Sequence, residues 1–530
     1  MAVITIQNSG RQIYCEDGSN LMQVLHNAGE YIESPCGGGG TCGKCKVKII
    51  GDNVSDITKT ETDILTAEEK ESGVRLACMA FVTGDIIVHM PEKEKGSKVL
   101  NEGYMPEFEK DKRSGYGVAV DIGTTTVALS LVNLETGEEV SSSSQINAQR
   151  RFGSDVLTRI TYEYENGEKG IAELQKALVG QLDDMLKEAC DKADVSIEEV
   201  AEIVVAANCT MTHMLLGTDA RPLGKSPYTP VFIKPKQRKY EEIGGKYCKG
   251  AKLYCLPQVS AYIGADIVAG AHVCNMANEK GNLLFIDVGT NGEIVLATEG
   301  RLLSCSCAAG PALEGANISC GMRAAEGAVE DVIITDEKTE LKVIGDTKLV
   351  GICGSGILAA VRELLKNGFI KPSGVFIKKS DSGKGSDKRL ILQGTKRAFM
   401  LCDNITITQD DIRQVQLAKG AILSGFTALL KKAGLEMNQL DKVLVAGQFG
   451  AHLPAESLTG VGILPPDVKD RIVYVGNSSK TGAYMALMSQ KEREEMEKLA
   501  QKMEYMELAE TENYENLFAG CMIFPDINKR

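Results

Sequence analysis

The sequence predicts a chain in two parts: an α+β module in about the first ninety residues, then a longer α/β region built from two related halves. Three observations carry this. Four cysteines cluster early, a strand, Asp-x-Gly-Thr, strand pattern occurs twice, and the intervening segments switch between strand-like and helix-like periodicity.

The first part opens with alternating residues at 3–7 and 11–15, which read as a hairpin; Ser19 then caps a helical pattern through Leu21, Val24, Leu25 and Ala28. Lys46 to Ile50 and Gly84 to Met90 supply further strands, the order of a β-grasp fold over residues 1–90. Residues 91–115, dominated by Lys, Glu, Gly and Pro, carry no periodicity and read as a linker. Tyr116 to Asn133 then reads strand, turn, strand around Asp121-Ile-Gly-Thr-Thr-Thr126. Asn282 to Thr298 repeats the pattern around Asp287-Val-Gly-Thr-Asn-Gly292, 166 residues later. Each copy runs on into a further turn and strand, so each half is expected to open as a three-stranded antiparallel meander. The halves are residues 116–280, with an insertion, and 281–530. Helical patterns at 171–200, 355–367, 409–433 and 478–510 supply the layers that cover the sheets, with Met496, Met503 and Met506 as core-facing candidates.

A length of 530 residues is too great for one ordinary core, and 59 Lys and Arg against 72 Asp and Glu leave a net charge of −13. That balance argues against nucleic acid or an anionic membrane as a partner. No apolar run approaches the roughly 18 residues of a membrane span, and Met1 to Ser9 reads as a strand and not a targeting segment, so a cytoplasmic protein is expected. In that compartment the 16 cysteines point to metal-ligating thiolates and buried reduced thiols, the reading given to Cys305 and Cys307, more than to disulfides.

The early cysteines are Cys36, Cys42, Cys45 and Cys78, spaced C-x5-C-x2-C with the fourth 32 residues further on. This has the form of the plant-type ferredoxin spacing with one extra residue in the first gap, and four thiolates can ligate two irons. Gly37 to Gly40 let the loop wrap tightly. A structural zinc site usually shows two C-x2-C knuckles, and there is one. The segment Pro35 to Cys45 resembles the [2Fe–2S] ferredoxins.

The two Asp-Gly-Thr turns offer backbone N–H groups and hydroxyls to phosphate, while an Asp at the start of each can hold Mg²⁺ through its waters. Two further glycine-rich turns, Gly351-Ile-Cys-Gly-Ser-Gly-Ile357 and Val443-Leu-Val-Ala-Gly-Gln-Phe-Gly450, lead from short apolar strands. In this order the four resemble the actin, sugar kinase and heat-shock ATPase superfamily. The resemblance implies a duplicated ribonuclease-H-like fold with ATP and Mg²⁺ in the cleft. It gives Asp121, Gly123, Thr124 and Thr125 the first phosphate role, and Asp287, Gly289, Thr290 and Asn291 the second, with Glu293 near the metal or attacking water. Gly354 and Ser355 would face phosphate or ribose, and Gly447 and Gly450 the adenosine.

A ferredoxin module ahead of such an ATPase is similar to the reductive activators of corrinoid proteins, as are Gln258 to Gly270 and Ala309 to Ile318. That family implies ATP-dependent one-electron reduction of Co(II) to Co(I) in a partner corrinoid protein, an upstream electron donor, and a homodimer. Lifting an electron over roughly 0.2 V costs roughly 5 kcal/mol, which a ferredoxin alone cannot supply and nucleotide-dependent binding can. The corrinoid is expected on the partner, because Val24-Leu-His26-Asn-Ala-Gly29 has Val where the cobalamin-binding Asp-x-His-x-x-Gly has Asp. Two other readings stand beside this one: a small-molecule kinase with a redox-sensing ferredoxin domain, for which Asp266 is the candidate base, and a non-enzymatic nucleotide-switched binding protein.

Overall fold

The computed structural model describes residues 2–526 apart from 8–9, 29, 31, 33–39, 41–42, 44, 91–103, 379–386, 404 and 448–452. The chain forms two compact units, one of residues 1–95 with 148–170, the other of 96–147 with 171–530.

In the first unit, alternation of apolar and polar residues turns one face of a five-stranded sheet inward. Its order is Gln12–Cys15, Ala2–Ile6, Ile86–His89, Lys46–Ile50, Val74–Leu76. Ile4, Ile6, Val47, Leu76 and Val88 pack there against Leu21 and Leu25 of the helix Leu21–Asn27. The first and last strands of the grasp run parallel, Ile4 beside Ile86. Two short helices, Lys59–Ile64 and Ala67–Glu71, each begin with a Thr and Glu capping box. Glu61, fully buried, also accepts from Arg75 Nε at 2.8 Å and the Leu76 N–H at 3.0 Å, which fixes the strand leading to Cys78. That strand escapes the sequence reading because it is only three residues long.

The second unit contains both related halves. The first sheet runs Glu139–Ile146, Thr126–Asn133, Tyr116–Ile122, Val200–Ala207, Lys252–Cys255, Lys236–Lys239. The second runs Ile472–Gly476, Lys442–Ala446, Leu283–Val288, Gly292–Thr298, Arg301–Cys307, Met503–Tyr505. In each, three antiparallel strands are extended by a parallel strand beside the first, Val200–Ala207 on Tyr116–Ile122 and Lys442–Ala446 on Leu283–Val288. The duplicated ribonuclease-H-like order therefore follows the internal repeat. Parallel strands buried on both faces explain the unbroken apolar runs Ile203 to Ala207 and Val443 to Ala446. Helices Ala265–Val273 and Ser478–Met488 pack on one another, the latter also on Tyr116–Ile122 and Val200–Ala207.

Three segments differ from the expectation. The helical stretch 478–510 breaks at Ser489 (φ −149°) and ends at Lys502, after which Met503–Tyr505 pairs parallel with Arg301–Cys307. Met503 is a core residue as expected, but burial against a sheet edge overrides the helical period there. The helix expected at 171–200 begins earlier, as Val156–Ala193 with a non-helical Gly167 (φ 57°), and Val200 already starts a strand. Within the stretch read as linker, residues 104–113 are tied to the second unit. The Tyr104 N–H donates to Val475 O at 3.0 Å, the Asp111 N–H to Met488 O at 2.7 Å, and Phe108 meets Tyr484 edge to face at 6.0 Å. A polar segment with one aromatic anchor and satisfied backbone groups carries no periodicity to read.

Candidate active site

Each Asp-Gly-Thr turn is closed by its own backbone. The Gly123 N–H donates to Thr126 O at 2.9 Å in the first, and the Gly289 N–H to Asn291 O at 3.0 Å in the second. Neighbouring loops then fix both. Asn147 donates from Nδ2 to Gly123 O at 2.8 Å, and the Gly310 N–H to Thr290 O at 2.8 Å. Asn208 accepts the Met211 N–H at 2.9 Å, capping the helix Cys209–Leu215, while its amide donates to Thr124 Oγ1 at 3.1 Å. One cap residue thus orients a hairpin hydroxyl.

Asp121, at the end of Tyr116–Ile122, is gripped from the other half. Asn477 Nδ2 donates to one carboxylate oxygen at 2.9 Å and Ser479 Oγ to the other at 2.7 Å. Asn477 is itself the cap of Ser478–Met488, accepting the Lys480 N–H at 2.9 Å. Asp287 stands opposite Glu293 across the second hairpin, and the Asn291 side chain is hydrogen-bonded to Glu293. Gly447 (φ 92°) lies against Asp287 and Val288: a Cβ there would fall 2.5 Å from Asp287 Oδ1 and 2.8 Å from Val288 O. Gly450 lies outside the described residues.

The hairpins meet at Glu314. Thr290 Oγ1 donates to its Oε1 at 2.6 Å, and Thr125 Oγ1 approaches its Oε2 at 3.4 Å. Glu314 ends a short 3₁₀ turn, Pro311–Glu314, set between Gly310 and Gly315, both with positive φ. Gly354 opens the helix Gly354–Lys366 hard against that turn, where a Cβ would stand 1.8 Å from Leu313 O. Ser355 Oγ is 3.2 Å from Cys353 Sγ within this glycine-rich turn, and the helix it opens packs on Pro311–Glu314.

Four carboxyls share this region and resist ionisation together. Burial, then the charges of Asp287 and Asp121, pushes Asp266 up to about 8. Burial and Asp121 push Asp287 up to about 7. Glu293 is raised well above the usual carboxylate range by burial, then by Asp266 and Asp287. Burial raises Asp121 too, opposed by Ser479, Asn477 and Lys480. Four such acids around one cleft leave a standing demand for positive charge. Among the described residues, no three His, Cys, Asp or Glu side chains converge closely enough to hold an ion directly.

Of the cysteine set, Cys45 and Cys78 are described and buried, their Sγ atoms 3.2 Å apart. That is beyond a disulfide bond and suits two thiolates turned toward one iron. Cys36 and Cys42 lie outside the described residues. Cys305 and Cys307 are buried on the strand Arg301–Cys307 of the second sheet, where burial raises both thiols.

Sequence reasoning left Glu314, Asn477 and Ser479 without roles and the role of Asn208 open. Asn208 and Asn477 each follow an apolar strand and precede a helix, a legible cap signal. Glu314 falls in the stretch Ala309 to Ile318 that the family resemblance marked, but its contacts had no local signal, because its partners lie 189 and 24 residues away in sequence.

Comparison with known proteins accounts for both units. Residues 4–83 match the model for a 2Fe-2S iron-sulfur cluster binding domain, 116–279 that for the RACo middle region, and 281–530 that for the C-terminal domain of RACo, the ASKHA domain. The corrinoid activation enzyme RamQ of Eubacterium limosum is 31% identical over 421 residues, 75% of this chain and 68% of that protein. The chain belongs to the family of reductive activators of corrinoid proteins. A second member, a [Co(II) methylated amine-specific corrinoid protein] reductase of Methanosarcina barkeri, is 25% identical over 436 residues, 76% of each chain. The solved structure of a reductive activator for corrinoid, iron-sulfur protein superposes with a TM-score of 0.70 at 28% identity, covering 99% of this chain and 98% of that one. In this family's frame the ferredoxin fold supplies the cysteine loop, and the actin-like ATPase fold supplies the two hairpins.

Proposed function

We propose that this activator drives one-electron reduction of Co(II) to Co(I) in a separate corrinoid protein, with ATP binding and hydrolysis as the coupled step. The observation that carries the reading is the meeting of Thr125 and Thr290, one from each half, at a single point in the cleft. Two hydroxyl-bearing turns facing each other suit a polyphosphate held from both sides. Asp121, Asp287 and Glu293 would orient a hydrated Mg²⁺ and the attacking water, a hard cation that keeps most of its waters when phosphate is its other ligand. Gly447, kept bare beside Asp287, leaves room for the nucleotide to approach backbone. Cys36, Cys42, Cys45 and Cys78 would hold a [2Fe–2S] cluster, which supplies the one-electron chemistry once an upstream donor has reduced it. ATP then acts as a gate: nucleotide-dependent affinity for the partner of a few kcal/mol offsets an uphill transfer.

The test is optical. Purified protein, a low-potential reductant, Mg·ATP and a cob(II)alamin-bearing partner should give the Co(I) absorption. Cys42→Ser should abolish that signal and leave nucleotide binding intact, whereas Asp287→Ala should lose nucleotide binding and keep the cluster spectrum. Full Co(I) formation by Cys42→Ser would remove the cluster from the reaction.

A further inference from the structure

We infer that Glu314 is an internal stand-in for the terminal phosphate of the nucleotide, a latch that bridges the two hairpins and must leave when ATP enters. This rests on the reading of the two hairpins as a nucleotide clamp. Glu314 is 7% exposed and reaches Thr290 at 2.6 Å and Thr125 at 3.4 Å, so one carboxylate spans turns from both halves. A threonine hydroxyl has one proton to donate. While Thr290 gives it to Glu314 it cannot give it to a phosphate oxygen, and the same holds for Thr125. A carboxylate and a phosphate are both anionic acceptors, so they compete for the same donors and repel each other when close.

The geometry around Glu314 is that of a built support. Gly310 anchors the turn to Thr290 O at 2.8 Å. Gly315 (φ 79°) sits where a Cβ would be 2.0 Å from Met322 O, and Gly354 where one would be 1.8 Å from Leu313 O. The backbone is therefore wedged from both sides, and release of the carboxylate is a side-chain movement. With Glu314 displaced, the bond between the halves passes to the phosphate, and nucleotide is read as exchange of one bridge for another.

Hydrogen exchange on the full-length holoprotein, with and without a non-hydrolysable Mg·ATP analogue, tests the latch without a mutation. Peptides covering 123–126 and 289–291 should become protected, while those covering 311–316, whose backbone stays wedged, should keep their exchange rate. Protection of all three would make Glu314 a direct support of the nucleotide and overturn the latch. No protection of the hairpins would instead defeat the clamp reading itself. Two variants separate reach from charge: Glu314→Gln removes the anion, and Glu314→Asp keeps it but is one methylene too short to touch both threonines. Both should tighten Mg·ATP binding by about tenfold, since the clamp is no longer occupied, and leave Mg·AMP binding unchanged. Wild-type affinity in Glu314→Asp would leave simple charge repulsion as the cause and sink the proposal.

Discussion

Mg·ATP binding to this activator should strengthen as pH rises from 6 to about 8, because the cleft must shed protons to receive a cation. Asp287 titrates at about 7 and Asp266 at about 8, both lifted first by burial and then by neighbouring carboxylates. At pH 6 an acid of pKa about 7 is about one-tenth ionised, and one of about 8 about one-hundredth. If Asp287 alone must ionise, affinity should fall about tenfold per pH unit below 7; if Asp266 must follow, the slope approaches a hundredfold per unit. Calorimetric titration at several pH values, in two buffers of different ionisation enthalpy, gives both the affinity and the protons released. Titrating Mg²⁺ into the nucleotide alone over the same pH range removes the nucleotide's own protonation from the count. An affinity that varies less than about twofold between pH 6 and 8.5 would refute the reasoning. Fold stability of the nucleotide-free protein should move the opposite way. These carboxyls have native values above their unfolded ones, so from about pH 4 to 8 the native state holds more protons, and their contribution is lost as pH rises through 7 to 8.

Two substitutions probe the frame around the sites. Glu61→Ala removes the carboxylate partner of the Arg75 guanidinium, whose side chain is 9% exposed, leaving it the Ser55 and Asp56 carbonyls, and should cost the ferredoxin unit about 3 kcal/mol, read as a lower denaturant midpoint in visible absorption; a loss below about 1 kcal/mol would mean that the two carbonyls and water satisfy Arg75. Gly447→Ala puts a methyl 2.5 Å from Asp287 Oδ1 at a φ of 92°, where the backbone alone costs about 1–2 kcal/mol, and should weaken Mg·ATP binding at least about tenfold with an unchanged cluster spectrum. Wild-type affinity there would place the nucleotide elsewhere.

What the sequence disclosed followed from local period and repetition. The meanders around Asp121 and Asp287 were legible because each strand alternates or runs apolar on its own, and each turn carries its glycine and threonine in consecutive positions. Helix Gln409–Ala433 was legible because Thr408 caps it, Gly434 ends it, and its apolar face keeps one period throughout. The strand Met503–Tyr505 was not, since three residues following a helix take their state from the open edge of Arg301–Cys307. The grip on Asp121 was hidden for a similar reason: Asn477 and Ser479 come 356 and 358 residues later and meet it only because the helix Ser478–Met488, which follows Ile472–Gly476 of the second sheet, packs on Tyr116–Ile122 of the first.

The two carboxylate bridges divide the work of the cleft. Asp121 is held by Asn477 and Ser479 at the start of a helix that is buried throughout, so this bond joins the halves along their packed spine and is costly to break. Glu314 touches its two threonines at the turn tips, through one short and one long side-chain contact. A hinge needs one bond that persists and one that can be exchanged, and this distribution provides both. Nucleotide exchange at the Glu314 end would then change the angle between the halves about the Asp121 end. Mutating Asn477 should loosen the fold, whereas mutating Glu314 should alter the nucleotide response.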